Sequence, residues 1–70
     1  MTANEILTTI KSRDAALSAE GIAHYAKCDA SAEGLRKITA QCWAMVKAGD
    51  LVAYDRRDVR RGGLFFDTKR

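Results

Sequence analysis

The hydrophobic pattern of this 70-residue chain changes period at Gly49. Before that glycine, apolar residues recur at three- and four-residue steps, as they do on one face of an amphipathic helix. After it, Leu51-Val52-Ala53-Tyr54 and Leu64-Phe65-Phe66 form two short runs rich in strand-favouring residues. That order confines the chain to helices first and a hairpin last, which is an α+β architecture. Seventy residues suit one small domain, because a chain this short cannot divide its apolar side chains between two cores. The 47% hydrophobic content suits folding rather than disorder. No proline, internal repeat or Gly/Ser linker breaks the chain.

Start signals locate three helices. Thr2-Ala3-Asn4-Glu5 has the spacing of a capping box, in which a Thr hydroxyl and a Glu carboxylate each satisfy an exposed amide of the other. The helix that follows, over about 3–12, has Ala3, Ile6, Leu7 and Ile10 as its apolar stripe and dissolves into Lys11-Ser12-Arg13-Asp14. Ala15-Ala16-Leu17 is too brief for another helix, and Leu17 is expected to be an extended core plug. Ser18 caps a second helix over about 19–26, with Glu20 close behind. Ile22 and Ala23, joined by Tyr25 or Ala26, face the core. Gly21 within this helix points to tight packing or a weak element, since glycine is about 1 kcal/mol less favourable than alanine there.

The third helix, about 32–48, is the most sharply delimited. Ser31 is its cap, Asp29 and Glu33 place negative charge near the positive end of its dipole, and Lys47 and Gly49 suit its end. Leu35, Ile38, Cys42, Met45 and Gly49, widened by Thr39 and Val46, form the inward stripe. Arg36, Lys37, Ala40, Gln41, Ala44 and Lys47 occupy the other side, with no carboxylate among those six. Such a face suits a polyanion, whereas an ordinary solvated face usually mixes signs. Trp43 lies at the edge of the stripe beside Arg36 and Lys47, where it serves packing, a partner surface or a polyanion.

Between the two strand-like runs, Arg56, Arg57, Arg60 and Arg61 supply four of the twelve basic residues, beside Gly62 and Gly63. Each arginine is able to neutralise a phosphate. The competing reading is a solvated hairpin tip in which the arginines pair with Asp55, Asp58 and Asp67. The net charge of +3 is modest, so the placement of the cations carries more information than their sum.

Other chemistry finds little support. Cys28 and Cys42 are too few for the disulfide framework of a small secreted domain, and no apolar run at the start reads as a signal peptide, so a cytoplasmic location is expected. No stretch approaches the roughly 20 apolar residues needed to cross a bilayer. His24 and Cys28, taken as one turn apart on the second helix, fall short of a four-ligand zinc site, and Cys42 sits at a core position. No cofactor or metal is expected. The chain has no serine, histidine and acid set on a plausible scaffold and no phosphate-cradling glycine motif, which argues against an enzyme.

The order helix, stub, helix, turn, helix and basic hairpin resembles the winged helix-turn-helix family of DNA-binding domains over about residues 3 to 67. Small phage and fimbrial-operon regulators are the nearest in architecture. Ile38, Cys42, Met45, Gly49 and Leu51 match the family's apolar positions along the third helix, its glycine and the start of its first wing strand. The resemblance implies that the third helix enters the major groove of duplex DNA and that the wing touches backbone or minor groove. Ser31, Arg36, Lys37, Ala40, Gln41 and Lys47 on the helix, with Arg56, Arg57, Arg60 and Arg61 on the wing, are then the DNA-binding residues of a transcriptional regulator, acting alone or as a homodimer. The third helix begins about a turn earlier than the family pattern, which leaves the register of base contacts open. The alternative is a protein-interaction winged helix that grips an acidic partner.

Overall fold

A computed structural model describes residues 2–55 and 63–69. Three helices, α1 (Ala3–Arg13), α2 (Ala19–Ala26) and α3 (Ala32–Ala48), precede two strands, β1 (Leu51–Asp55) and β2 (Leu64–Thr68), paired as an antiparallel hairpin. This is the α+β arrangement expected from the change of period at Gly49, and it is consistent with winged helix-turn-helix architecture.

Each helix starts where a side-chain oxygen waits for an unpaired amide. The Glu5 N–H donates to Thr2 Oγ1 at 3.3 Å and the Thr2 N–H to Glu5 Oε1 at 3.2 Å, completing the capping box. Ser18 Oγ accepts from the Gly21 N–H at 3.1 Å, and Ser31 Oγ from the Gly34 N–H at 3.2 Å. The ends differ from one another. Gly49 ends α3 in the left-handed region at φ 91°, as its residue type predicts, but α1 and α2 end on Asp14 and Lys27 in the same region at φ 49° and 57°. A non-glycine residue reaches that conformation only against a steric cost, smaller for Asp than for Lys, so neither stop is marked by a glycine.

The core lies between the helices and the inner face of the hairpin. Ile6 and Ile10 of α1, Ile22 and Ala23 of α2, Ile38, Cys42 and Met45 of α3, Leu51 of β1 and Phe66 of β2 are all buried. Fully burying an Ile or Phe side chain contributes roughly 1.5–3 kcal/mol, against about 1 kcal/mol for a cap, so packing outweighs capping in holding this fold. Tyr25 does not join the core. It is 44% exposed on the outer side of α2, with the Arg13 guanidinium 4.2 Å from its ring centre. Gly49 is exposed as well: it stops the inward stripe of α3 without belonging to it.

Leu17 is the buried plug its sequence position suggests, and it also extends the sheet. Its N–H donates to the Phe66 carbonyl at 2.9 Å and its carbonyl accepts from the Phe66 N–H at 2.8 Å. The segment between α1 and α2 is thereby fastened to the far edge of β2. Gly21 meets only ordinary van der Waals neighbours, Ser18 and Leu17, so tight packing is not the reason for that glycine.

Candidate nucleic-acid interface

Helix α3 presents a continuous outward face because its inward stripe is fully used by the core. Ile38, Cys42 and Met45 are buried and Leu35, Thr39 and Val46 half-buried, while Arg36, Lys37, Ala40, Ala44 and Lys47 are exposed. The three cations therefore flank a ridge of two alanines whose short side chains allow close approach of a partner to the helix. Gln41 is half-buried at the margin of this face.

The face is less uniformly basic than its six residues suggest. Glu33 stands one turn before Lys37 on the same side, with its Oε1 3.6 Å from Lys37 Nζ. Both side chains are more than three-quarters exposed, and such an i, i+4 pair contributes about 0.3–0.5 kcal/mol, which leaves Lys37 readily diverted to a stronger anion. Ser31 has structural work to do: its hydroxyl donates to Asp29 Oδ2 at 2.6 Å while accepting from Gly34. Its N–H donates to Asp29 Oδ1 at 2.9 Å. These two bonds from Ser31 hold the Asp29 carboxyl below its ordinary pKa of 3.8.

Gly34 belongs to the same turn and was not foreseen from the pattern. A Cβ on Gly34 would be driven into the backbone carbonyl oxygen of Asp29, with the carbonyl carbon and the Asp29 Cγ each 3.1 Å away. Only glycine lets the entry turn lie against the first turn of α3 in this way. The approach depends on the path of the chain through Asp29, which residue types alone do not reveal.

Trp43 is 46% exposed, and its ring meets Phe66 edge-on with centroids 5.5 Å apart at 88°. It thus combines a packing contact with an open surface beside the basic face. The wing residues Arg56, Arg57, Arg60 and Arg61 lie outside the described residues. No family model matches the chain, and neither does any characterised protein or solved structure.

The cysteines and histidine do not form a shared site. Cys28 lies beyond the left-handed Lys27 that ends α2, so it is not one helical turn along from His24, and its thiol donates to the Ala26 carbonyl at 3.6 Å. Both cysteines are free thiols, and burial pushes that of Cys42 up to about 11, away from the thiolate form needed for ready reaction at neutral pH. Among the described residues, no three His, Cys, Asp or Glu side chains stand together as metal ligands. No helix of the described residues is long and apolar enough to cross a membrane.

Proposed function

We propose that this protein binds duplex DNA in a sequence-specific manner, with α3 in the major groove and the arginine-rich segment between β1 and β2 on backbone or minor groove, and that it regulates transcription. The observation that carries this reading is the outward face of α3, where exposed Arg36, Lys37 and Lys47 border exposed Ala40 and Ala44. The major groove, about 12 Å wide, admits one helix, and small residues along a ridge let it enter deeply. Arg36 is suited to a bidentate contact with guanine, Gln41 to adenine, and Lys37 and Lys47 to phosphate. The four arginines at 56, 57, 60 and 61 add sequence-independent attraction that weakens as salt rises.

Selection of bound sequences from a random duplex pool at near-physiological salt tests the reading. Enrichment of one motif is expected, with affinity falling steeply as salt increases and with Arg60→Ala combined with Arg61→Ala weakening all sequences alike. Failure to enrich any motif overturns sequence-specific recognition, and unchanged affinity of the double variant at low salt overturns the role of the wing.

One observation favours a second reading. Trp43 and Tyr54, at 46% and 43% exposure, place large aromatic side chains in solvent, as on surfaces that grip another protein. A protein-interaction winged helix of this kind, directed at an acidic partner, predicts no specific DNA site at any salt concentration.

A further inference from the structure

The two edges of the hairpin are treated differently. The outer edge of β2 is occupied by Leu17, which takes both the N–H and the carbonyl of Phe66. In an antiparallel ladder a residue directs both backbone groups to the same side, and neighbouring residues alternate. Because Phe66 turns toward Leu17, its β1 partner Ala53 turns the opposite way, away from β2. The backbone groups of Leu51 point outward with those of Ala53. No hydrogen bond from either amide to the other described residues takes them up outside the ladder.

Among the described residues, this edge has little of the protection usual for exposed strands, which rely on lysine, proline, bulges or a covering segment. The register from Leu51↔Thr68 to Asp55↔Leu64 is one-to-one throughout, so β1 has no bulge, and Asp55 is its single charged residue. On the solvent face of the hairpin, Val52 is half-buried and Tyr54 exposed, with Phe65 paired beside Tyr54.

We propose that the edge of β1 pairs with β1 of a second copy of this chain, antiparallel about a twofold axis through Ala53, to form a continuous four-stranded sheet. The register is self-complementary. Each Ala53 N–H donates to the carbonyl of the partner's Ala53, and this outward parity brings Leu51 opposite Asp55. On the solvent face the same register sets Val52 of one copy directly against Tyr54 of the other, a β-branched and aromatic cross-strand pair. Any extended peptide satisfies the amides of the edge. A second copy also covers Val52 with an aromatic ring and brings the two Val52–Tyr54–Phe65 patches together across the new seam, with Asp67 beside each Val52 on the β2 side, which is why it is the occupant. Two five-residue strands bury less than the roughly 1,200 Å² of a standard interface, so the dimer belongs to the weak, concentration-dependent class. The proposal rests on the hairpin register alone and stands whatever α3 binds.

Sedimentation equilibrium of the full chain, up to about 1 mM, tests it. Reversible growth from 7.7 kDa to twice that mass is expected. Nuclear Overhauser contacts between Val52 methyls and the Tyr54 ring are expected across molecules in a mixture of isotope-labelled and unlabelled chains. Tyr54→Lys changes an exposed side chain, and Ala53→Pro removes an amide that bonds to no other described residue. Each is expected to raise the dimer dissociation constant at least tenfold while far-ultraviolet circular dichroism stays native. If Ala53→Pro unfolds the chain, Tyr54→Lys and the intermolecular contacts decide. A monomer throughout the range, a dimer indifferent to Tyr54→Lys, or intermolecular contacts at another surface each overturns the proposal.

Discussion

The two ends of α3 solve the same problem in opposite ways. Its exit depends on one residue, Gly49, whose left-handed backbone lets its own N–H and that of Asp50 reach back to carbonyls of the last turn. Its entry depends on four positions acting together. Lys27 turns the chain at the end of α2, Asp29 accepts two bonds from Ser31, Ser31 caps the helix, and Gly34 leaves space for the Asp29 carbonyl. A stop that requires one backbone conformation is visible in one residue type. A start built from mutual approach is visible only in part, because the approach is a property of the folded path.

The comparison is broken most directly at Gly34. Gly34→Ala is expected to cost about 1–3 kcal/mol, since the new methyl meets backbone rather than the tip of a flexible side chain. Thermal denaturation measures it: the midpoint should fall by roughly 4–8 °C per kcal/mol in a domain of this size. A change within error would show that the entry turn moves freely and that the collective description is wrong. Gly49→Ala comes next, at about 1 kcal/mol, all of it from the left-handed conformation, because a Cβ there meets nothing within 4 Å. Chemical denaturation should show this loss without a change in m-value.

A smaller effect of opposite sign is expected at Lys27. Glycine relieves the left-handed strain at φ 57°, so Lys27→Gly should stabilise the fold by about 0.5 kcal/mol despite its entropic cost. Loss of stability instead would mean that the lysine side chain contributes to the turn. Asp29 gives the smallest effect, seen through pH. Its folded pKa lies below the ordinary 3.8, so its contribution is complete above that value and is lost as pH falls through the folded pKa. Asp29→Asn should therefore flatten the stability profile in acid, below about pH 4, and leave the slope near neutrality unchanged. An acid slope equal to that of the parent chain would remove Asp29 from the entry turn's energetics.

Much of the fold was legible because local signals agreed with the global pattern. Thr2 with Glu5, Ser18, Ser31 and Gly49 mark helix ends by their own chemistry, and the 3.6-residue stripe located Ile6, Ile10, Ile38, Cys42 and Met45 in the core. The residues that escaped are those whose role is set by distant chain. Leu17 was readable as buried but not as a partner of Phe66, and Tyr25 sits at a helical position compatible with either face. On the candidate interface, periodicity correctly gave the exposure of Arg36, Lys37, Ala40 and Lys47. It placed Trp43 at an edge, and only the position of Phe66 explains how that ring is both packed and open.

The rung between Leu17 and Phe66 also bears on the order in which the fold can be completed. It joins positions 49 residues apart (66 − 17), so it closes only after the helices between them have brought their ends together. Non-local closures of this kind slow folding, because chain entropy is lost before the contact is gained. Until Phe66 is seated, the three helices lack a side chain that ends fully buried in their shared core. Trp43, the one tryptophan in the chain, touches that same phenyl ring, so its fluorescence reports the arrival of the C-terminal strand separately from the formation of the helices.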